Sequence, residues 1–192
     1  RSEPGPITRP GLRDKPLDVA TGAGAEAAAD NVEAVRGAEV IVLAVPHAAV
    51  AGIAKEIADL VGDAVVVDST NPLNDTYTGL TTEGVSAAEE LQGLLPAAHV
   101  VKAFNTVFAG RHADPAEDGT PLDAFIAGDD AAAKTVVAGF AGSLGYRPID
   151  VGGLRMARAL EEMAFLNISL NANNGLPWQS AWKLVGPTEA VR

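Results

Sequence analysis

The sequence contains no cysteine in its 192 residues. Disulfide bonds, thiolate metal sites and a cysteine nucleophile are therefore excluded. Aromatic residues make up only 5% of the chain, whereas 47% of its residues are hydrophobic, so a large core must be built mainly from alanine and valine. A chain of this length suits one domain, or one domain with a small appendage.

Other features are also missing. No apolar run reaches the roughly 18 residues that a membrane-spanning helix needs, and the first residues lack the pattern of a signal peptide. The net charge of −11 would repel nucleic-acid phosphates. Aspartate and glutamate are scattered without the spacing of metal ligands. We therefore expect a cytoplasmic protein that binds neither nucleic acid, membrane nor metal.

Three short apolar runs dominate the chain, at Val40–Val45, Ala64–Val67 and Val100–Phe104. Runs without alternation are typical of parallel strands that are buried on both faces. Because helical patterns separate them, the sequence predicts an α/β fold with a Rossmann-like parallel sheet of about five or six strands. We expect these three strands to be adjacent and central. Each run stops at a polar or proline corner, and ligands of such sheets bind beyond the carboxyl ends of the strands.

The remaining pattern predicts further elements and a boundary. Ser86 and Glu89 form a capping box that predicts a helix over 87–94. A break at Gly152-Gly153 divides a partial Rossmann-like dinucleotide-binding domain, residues 1–152, from a helical carboxyl-terminal cap, residues 153–192. The other predicted elements are a short helix after Asp30-Asn31, a helix over 48–60, a strand over 124–127, a helix over 131–144, a strand over 146–151 and a helix over 154–170.

A glycine-rich stretch, Gly22–Ala27, matches the dinucleotide fingerprint in its loose form. The fingerprint binds pyrophosphate only where a buried strand leads into it and a helix follows it. The preceding run, Leu17–Thr21, is a poor central strand. We therefore predict that this stretch is not a phosphate loop.

Polar residues after the apolar runs are the candidate binding residues. In Val45-Pro46-His47, the proline ends a strand and the histidine begins a helix, and the same turn could contact a dinucleotide. Asn71 and Asn105 could form turns, or could bind a carboxamide or ring carbonyl. The segment Leu166–Trp178 is rich in asparagine; the residues alone leave open whether it caps a helix or faces a planar ligand, with Trp178 or Trp182 as a wall.

Together these segments resemble the F420-dependent NADP reductase family. The most specific matches are the turns Ala44-Val45-Pro46 and Thr70-Asn71-Pro72-Leu73, and the run Lys102-Ala103-Phe104-Asn105-Thr106. The wider matching stretches are 37–46, 66–73, 85–95, 100–111, 127–149 and 160–187. The resemblance implies an oxidoreductase that transfers a hydride between NADP(H) and coenzyme F420, a deazaflavin. It also implies a homodimer.

The resemblance further implies where the cofactors bind. The nicotinamide half of NADP(H) would be lined by Ala44, Val45, Pro46 and His47. The floor of the ring site would be formed by Asn71, Pro72, Ala103, Phe104 and Asn105. The segment Leu166–Trp178 would cover the deazaflavin. Because the cofactors supply the reactive centres, no catalytic acid, base or nucleophile is expected.

One part of the family pattern is not matched. Family members begin with a strand, a glycine-rich phosphate turn, a helix and a second strand that ends in residues for the 2′-phosphate of NADP. We expect this chain to lack that unit, apart from Arg1 and Ser2 as a remnant, and to bind NADP(H) more weakly than a relative that has it. Two other functions stay open: a non-catalytic Rossmann scaffold or sensor, and an NADPH-dependent reductase of a flavin, quinone or metal chelate.

Overall fold

The computed structural model describes residue 22 and residues 24–186. The hypotheses on Arg1 and Ser2 and on the run Leu17–Thr21 lie outside the described residues. Gly22 and residues 24–26 are exposed, and Asp30 is the N-cap of the helix Asn31–Val35. The dismissal of Gly22–Ala27 as a phosphate loop therefore stays a prediction.

Two sheets are present in the described part of the chain. The strands are β1 Val40–Leu43, β2 Val65–Asp68, β3 His99–Lys102, β4 Ala116–Glu117, β5 Thr120–Pro121, β6 Asp123–Gly128 and β7 Arg147–Gly152. The main sheet has five strands in the order β1-β2-β3-β6-β7, while β4 and β5 form a small antiparallel pair. The sheet is parallel except between β3 and β6. The predicted α/β fold with a Rossmann-like, mostly parallel sheet is confirmed.

The three predicted strands are adjacent, as expected, but one of them is not central. In the described residues β1 lies at the edge of the main sheet. Val42 on β1 is 42% exposed, whereas Val66 on β2 and Val101 on β3 are fully buried. The prediction of a central position is therefore wrong for β1, because among the described residues it pairs only with β2.

Helices cover both faces of the sheet. They are α1 Asn31–Val35, α2 His47–Ile57, α3 Ala87–Leu94, α4 Ala131–Ser143 and α5 Ala157–Asn174, with 3₁₀ turns at Ala109–Arg111 and Leu154–Met156. On one face, Val66 and Val100 pack with residues of α2 and α3. On the other face, Val67 and Val101 pack with Val137 of α4. The alternation of these valines between two cores explains why the runs are apolar throughout.

Two helix starts follow the sequence signals. The Ser86 hydroxyl accepts a hydrogen bond from the Glu89 N–H at 3.1 Å, and the Glu89 carboxylate accepts one from the Ser86 N–H at 2.8 Å. The capping box and the bounds of α3 are thus confirmed. Asp130 caps α4 by accepting from the Ala133 N–H at 2.7 Å. No helix within the described residues is long and apolar enough to cross a membrane.

Candidate functional site

The carboxyl ends of β2 and β3 bring two asparagines together. Asn71 Nδ2 donates to the Asn105 carbonyl at 2.9 Å, and Asn105 Nδ2 donates to Asn71 Oδ1 at 2.9 Å. Asn105 Nδ2 also donates to the carbonyl of Leu160 on α5 at 3.0 Å. The reciprocal amide pair therefore lies at the sheet edge where ligands bind in this type of fold.

One atom of this pair lacks a partner. Asn105 is only 5% exposed, and its Oδ1 has no hydrogen-bond partner among the described residues. A buried acceptor without a partner costs about 1–3 kcal/mol. A cavity of about 180 Å³ adjoins the pair, and we call it the amide cavity. Its lining residues are Asn71, Asn105, Thr106, Val107, Phe108, Ala109, Ala164, Asn167 and Ile168.

The turn after β1 lies at the same edge but outside the amide cavity. Ala44 and Pro46 are exposed, and Val45 packs partly against the core. Pro46 is the N-cap of α2, and His47 begins that helix. His47 Nδ1 lies 3.5 Å from the Thr70 hydroxyl, which links this turn to the one that carries Asn71.

The residues between Lys102 and Asn105 point in different directions. Ala103 is fully buried, and Phe104 has a left-handed backbone with φ of 66°. The Phe104 ring lies in the core, with its centroid 5.7 Å from that of Tyr146. A left-handed non-glycine residue costs roughly 1–2 kcal/mol, and this turn carries Asn105 back toward Asn71. Phe104 therefore contributes its backbone geometry to the site, while its ring packs elsewhere. Pro72, also predicted in the site, is buried.

A second and larger cavity adjoins the first. We call it the aromatic pocket; its volume is about 630 Å³. It is lined by Thr76, Tyr77, Thr78, Phe108, Phe165, Ile168, Ser169, Ala172, Asn173 and Trp178. Phe108 and Ile168 line both cavities, so the two are neighbours.

The asparagine-rich segment contributes some residues to a cavity and others to the packing of the chain, and its role toward a planar ligand stays a prediction. Ser169 and Asn173 line the aromatic pocket, and Trp178 forms one of its walls. Asn167 and Asn171 are instead buried and bind the chain that follows the helix. Trp182 is not among the pocket residues: its indole N–H donates to the Met163 carbonyl at 3.0 Å, and it packs with a third core cluster.

A buried charge cluster supports the amide pair, and sequence reasoning missed it. Lys102 Nζ donates to Asp68 Oδ2 at 2.9 Å, to Glu161 Oε1 at 2.9 Å and to the Thr70 carbonyl at 2.6 Å. All three side chains are buried. Asp68 Oδ1 also accepts from the Thr70 N–H at 2.9 Å, so both backbone groups of the residue before Asn71 are held. The sequence did contain one indication of this cluster, because Asp68 and Lys102 are charged residues at the ends of apolar strands.

Replacing Lys102 should destabilise the fold strongly. In Lys102→Met, Asp68 and Glu161 would remain buried as uncompensated carboxylates, and breaking a buried ion pair in this way costs about 3–5 kcal/mol. Chemical denaturation would measure the loss in free energy of unfolding. Glu162→Gln is the control, because its ion pair with Arg158 is 51% exposed on the glutamate side and should contribute less than about 1 kcal/mol. Equal losses in the two variants would contradict the prediction.

An aromatic cluster lies under the turn at Phe104. The Phe104 ring contacts those of His112 and Tyr146, and His112 Nδ1 lies 2.6 Å from the Tyr146 hydroxyl. Burial lowers the pKa of His112 and raises the pKa of Tyr146 to about 12, although Arg111 opposes the latter. The fold therefore favours the neutral form of both side chains.

The raised pKa of Tyr146 predicts a loss of stability at alkaline pH. The unfolded chain loses the tyrosine proton near pH 10.0, whereas the folded chain keeps it until about pH 12. The contribution of Tyr146 to the free energy of unfolding is thus complete below pH 10 and is lost as pH rises from 10 to 12. Tyr146→Phe should flatten this part of the stability profile measured by denaturant unfolding. Tyr77→Phe, at a residue that is 62% exposed, should keep the wild-type slope; a Tyr146→Phe profile parallel to the wild type would refute the assignment.

A mostly parallel sheet with cavities beyond its strand ends is typical of the Rossmann-like oxidoreductases. Comparison with known proteins identifies the family. A family model described as NADP oxidoreductase, coenzyme F420-dependent, matches residues 13–72. The F420-dependent NADP reductases of Methanothermobacter thermautotrophicus and Methanothermobacter marburgensis are 33% and 31% identical to this chain over 154 residues. The alignments cover 76% of this chain and 66% and 68% of those reductases.

Solved structures agree with this result. A crystal structure from Arthrobacter sp. FB24, assigned to the F420-dependent NADP reductases, superposes with a TM-score of 0.74 at 32% identity, covering 82% of this chain and 74% of that one. A hypothetical protein, SMa0349, from Sinorhizobium meliloti superposes with a TM-score of 0.67 at 31% identity, covering 76% and 72%. The chain belongs to the family of coenzyme F420-dependent NADP oxidoreductases.

Another relative has a different name. The metalloreductase STEAP3 of Rattus norvegicus is 36% identical over 129 residues, which are 67% of this chain but 25% of that protein. The chain thus spans a quarter of STEAP3 and 66% of the M. thermautotrophicus reductase.

Proposed function

We propose that this protein is an oxidoreductase that transfers a hydride between NADP(H) and coenzyme F420. The chemistry supplied by the bound cofactors is hydride transfer from NADPH to the deazaflavin, with a proton taken from water, or the reverse reaction. The task of the protein is to hold two rings against each other. The observation that carries the proposal is the pair of adjoining cavities beyond the carboxyl ends of β2 and β3.

The amide cavity suits the nicotinamide. Asn105 Oδ1 is a buried acceptor without a partner in the described residues, and a carboxamide N–H is a donor that would satisfy it. Asn71 and Leu160 hold the Asn105 side chain in place through its own N–H groups. Ala44, Val45, Pro46 and His47, at the neighbouring strand end, would continue along the nicotinamide half. Pro72, Ala103 and the Phe104 backbone are outside the lining of the amide cavity and would support its floor from behind.

The aromatic pocket suits the deazaflavin. Tyr77, Phe108, Phe165 and Trp178 offer ring faces and edges to a planar fused ring. Thr76, Thr78, Ser169 and Asn173 offer hydroxyl and amide groups to the ring carbonyls. Because Phe108 and Ile168 line both cavities, a ring in each would lie next to the other.

We also propose that the protein is a cytoplasmic homodimer. Leu166 and Leu170 on α5 are 50% and 41% exposed outside the aromatic pocket, and a second copy would cover them. Analytical ultracentrifugation should give twice the chain mass of 19.6 kDa. A monomer at micromolar concentration would overturn this part of the proposal.

A second candidate is NADPH-dependent reduction of a metal chelate. The 36% identity over 129 residues to a metalloreductase favours it. The site would then use the same amide cavity with a different acceptor.

One assay separates these functions. The protein is mixed with NADPH and either oxidised F420 or ferric citrate, and the visible absorbance of each acceptor is followed. We expect bleaching of F420 and little reduction of the chelate. The opposite preference would support the metal-chelate reductase. No turnover of either acceptor, with no NADPH binding in a calorimetric titration, would support a non-catalytic scaffold.

Removing the Asn105 amide should weaken NADPH binding selectively. Asn105→Ala loses the acceptor that we assign to the carboxamide and releases Asn71, so the KM for NADPH should rise about tenfold, since one hydrogen bond contributes roughly 0.5–1.5 kcal/mol. The KM for F420 should change less than about twofold. Asn31→Ala is the control, because this exposed amide bonds only Glu56. An unchanged KM for NADPH in a folded Asn105→Ala protein would show that the carboxamide binds elsewhere.

A further inference from the structure

Trp178 has an unusual backbone for a residue on a pocket wall. Its φ is 60°, in the left-handed region that only glycine adopts readily, and its side chain is 48% exposed. It lies three residues beyond Gly175, the residue that ends α5. Its ring meets the edge of Phe108, with centroids 5.6 Å apart. Strained residues persist only where their surroundings hold them, and they concentrate at functional sites.

One buried side chain, Asn171, is the one that binds the Trp178 backbone directly, while Arg111 donates to the carbonyl of the next residue, Gln179, at 3.2 Å. Asn171 is fully buried, and its Oδ1 accepts the Trp178 N–H at 3.0 Å. Its Nδ2 donates to the Ser180 hydroxyl at 2.7 Å and to the Asn167 carbonyl at 2.8 Å. Asn167 Nδ2 in turn donates to the Ser180 carbonyl at 3.0 Å. The chain on both sides of Trp178 is therefore bound to α5, which leaves the indole directed into the pocket.

Another aromatic residue of the lining, Tyr77, is held in a similar way. Tyr77 also has a left-handed backbone, with φ of 56°. Its N–H donates to the Asn74 carbonyl at 2.9 Å, and Asn74 Oδ1 accepts the Thr78 N–H at 2.9 Å. Both exposed aromatic walls of the pocket are thus presented by left-handed residues that an asparagine restrains.

We propose that Asn171 is a positioning residue that sets the width of the aromatic pocket through Trp178, and that Trp178 selects for a planar fused-ring acceptor. The inference rests on the proposed function, since it concerns the acceptor half of that site. With the indole held in place, a flat ring in the aromatic pocket gains contact with the aromatic side chains that line it. Without the restraint, the indole moves and the pocket loses one wall.

The first experiment needs no activity. The chain has two tryptophans, so Trp182→Phe leaves Trp178 as the only indole emitter. In that background, Asn171→Ala should shift the Trp178 emission to longer wavelength and raise its quenching by acrylamide. Asn174→Ala is the matched control: its amide donates only to the Leu170 carbonyl on the same helix and lies outside the restraint. Emission that is identical in the two folded variants would overturn the positioning role.

The second experiment measures acceptor selectivity. Asn171→Ala and Trp178→Gly should each raise the KM for F420 about tenfold while changing the KM for NADPH less than about twofold. The affinity for NADPH, measured by calorimetric titration, should stay within about twofold of the wild-type value, because neither residue lines the amide cavity. A merely structural role would instead weaken the binding of both cofactors. Equal changes in both KM values would overturn the proposal.

Further variants and outcomes keep the test decisive. If Asn171→Ala does not fold, Ser180→Ala is the alternative variant, because it removes the hydroxyl to which Asn171 Nδ2 donates. It should shift the Trp178 emission in the same direction by a smaller amount. No shift in emission would overturn the proposal. If the wild type does not reduce F420, the proposed function fails, whereas the fluorescence result still decides whether Asn171 positions Trp178.

Discussion

The ion cluster of Lys102 with Asp68 and Glu161 is the interaction on which the arrangement of the site depends. Moving such charges out of water costs several kcal/mol per ion, and only well-placed ion pairs and hydrogen bonds offset that cost. Here the ammonium group has three acceptors, at 2.6–2.9 Å, and Glu161 also accepts the Ala87 N–H at 3.0 Å. One cluster therefore ties β2, β3 and α5 together and reaches the first residue of α3.

The amide pair is the next layer above this cluster. Lys102 and Asp68 hold the carbonyl and the N–H of Thr70, which directs Asn71 toward Asn105. Glu161 follows Leu160, whose carbonyl accepts from Asn105. Because the same three elements carry both layers, a shift of α5 would disturb the charges and the amides together. The geometry at the strand ends is therefore rigid, while the aromatic pocket is bounded partly by loops.

Local signals predicted the fold well, and contacts between distant residues escaped them. The apolar runs and the capping box identify β2, β3 and α3 because strand burial and helix capping depend on neighbouring residues. Strand direction does not depend on neighbouring residues, so the sequence did not predict the antiparallel pairing of β3 with β6. The asparagines at the strand ends were found, since their position follows from the sheet. Lys102 and Glu161 are 59 positions apart, and no pattern along the chain joins them.

Hydrogen-bond accounting separates residues that look alike in sequence. Asn105, Asn167 and Asn171 are all buried asparagines, and the first two line the amide cavity. Both ends of the Asn171 amide are paired, and Asn167 Oδ1 accepts from Ser180 at 2.7 Å, so both of these carbonyl oxygens already have a partner within the protein. Asn105 leaves Oδ1 without a partner, and in the described residues only Thr82 Oγ1 shares that condition. Since buried polar groups in proteins are almost always paired, the unpaired one next to a cavity is the one expected to meet a ligand.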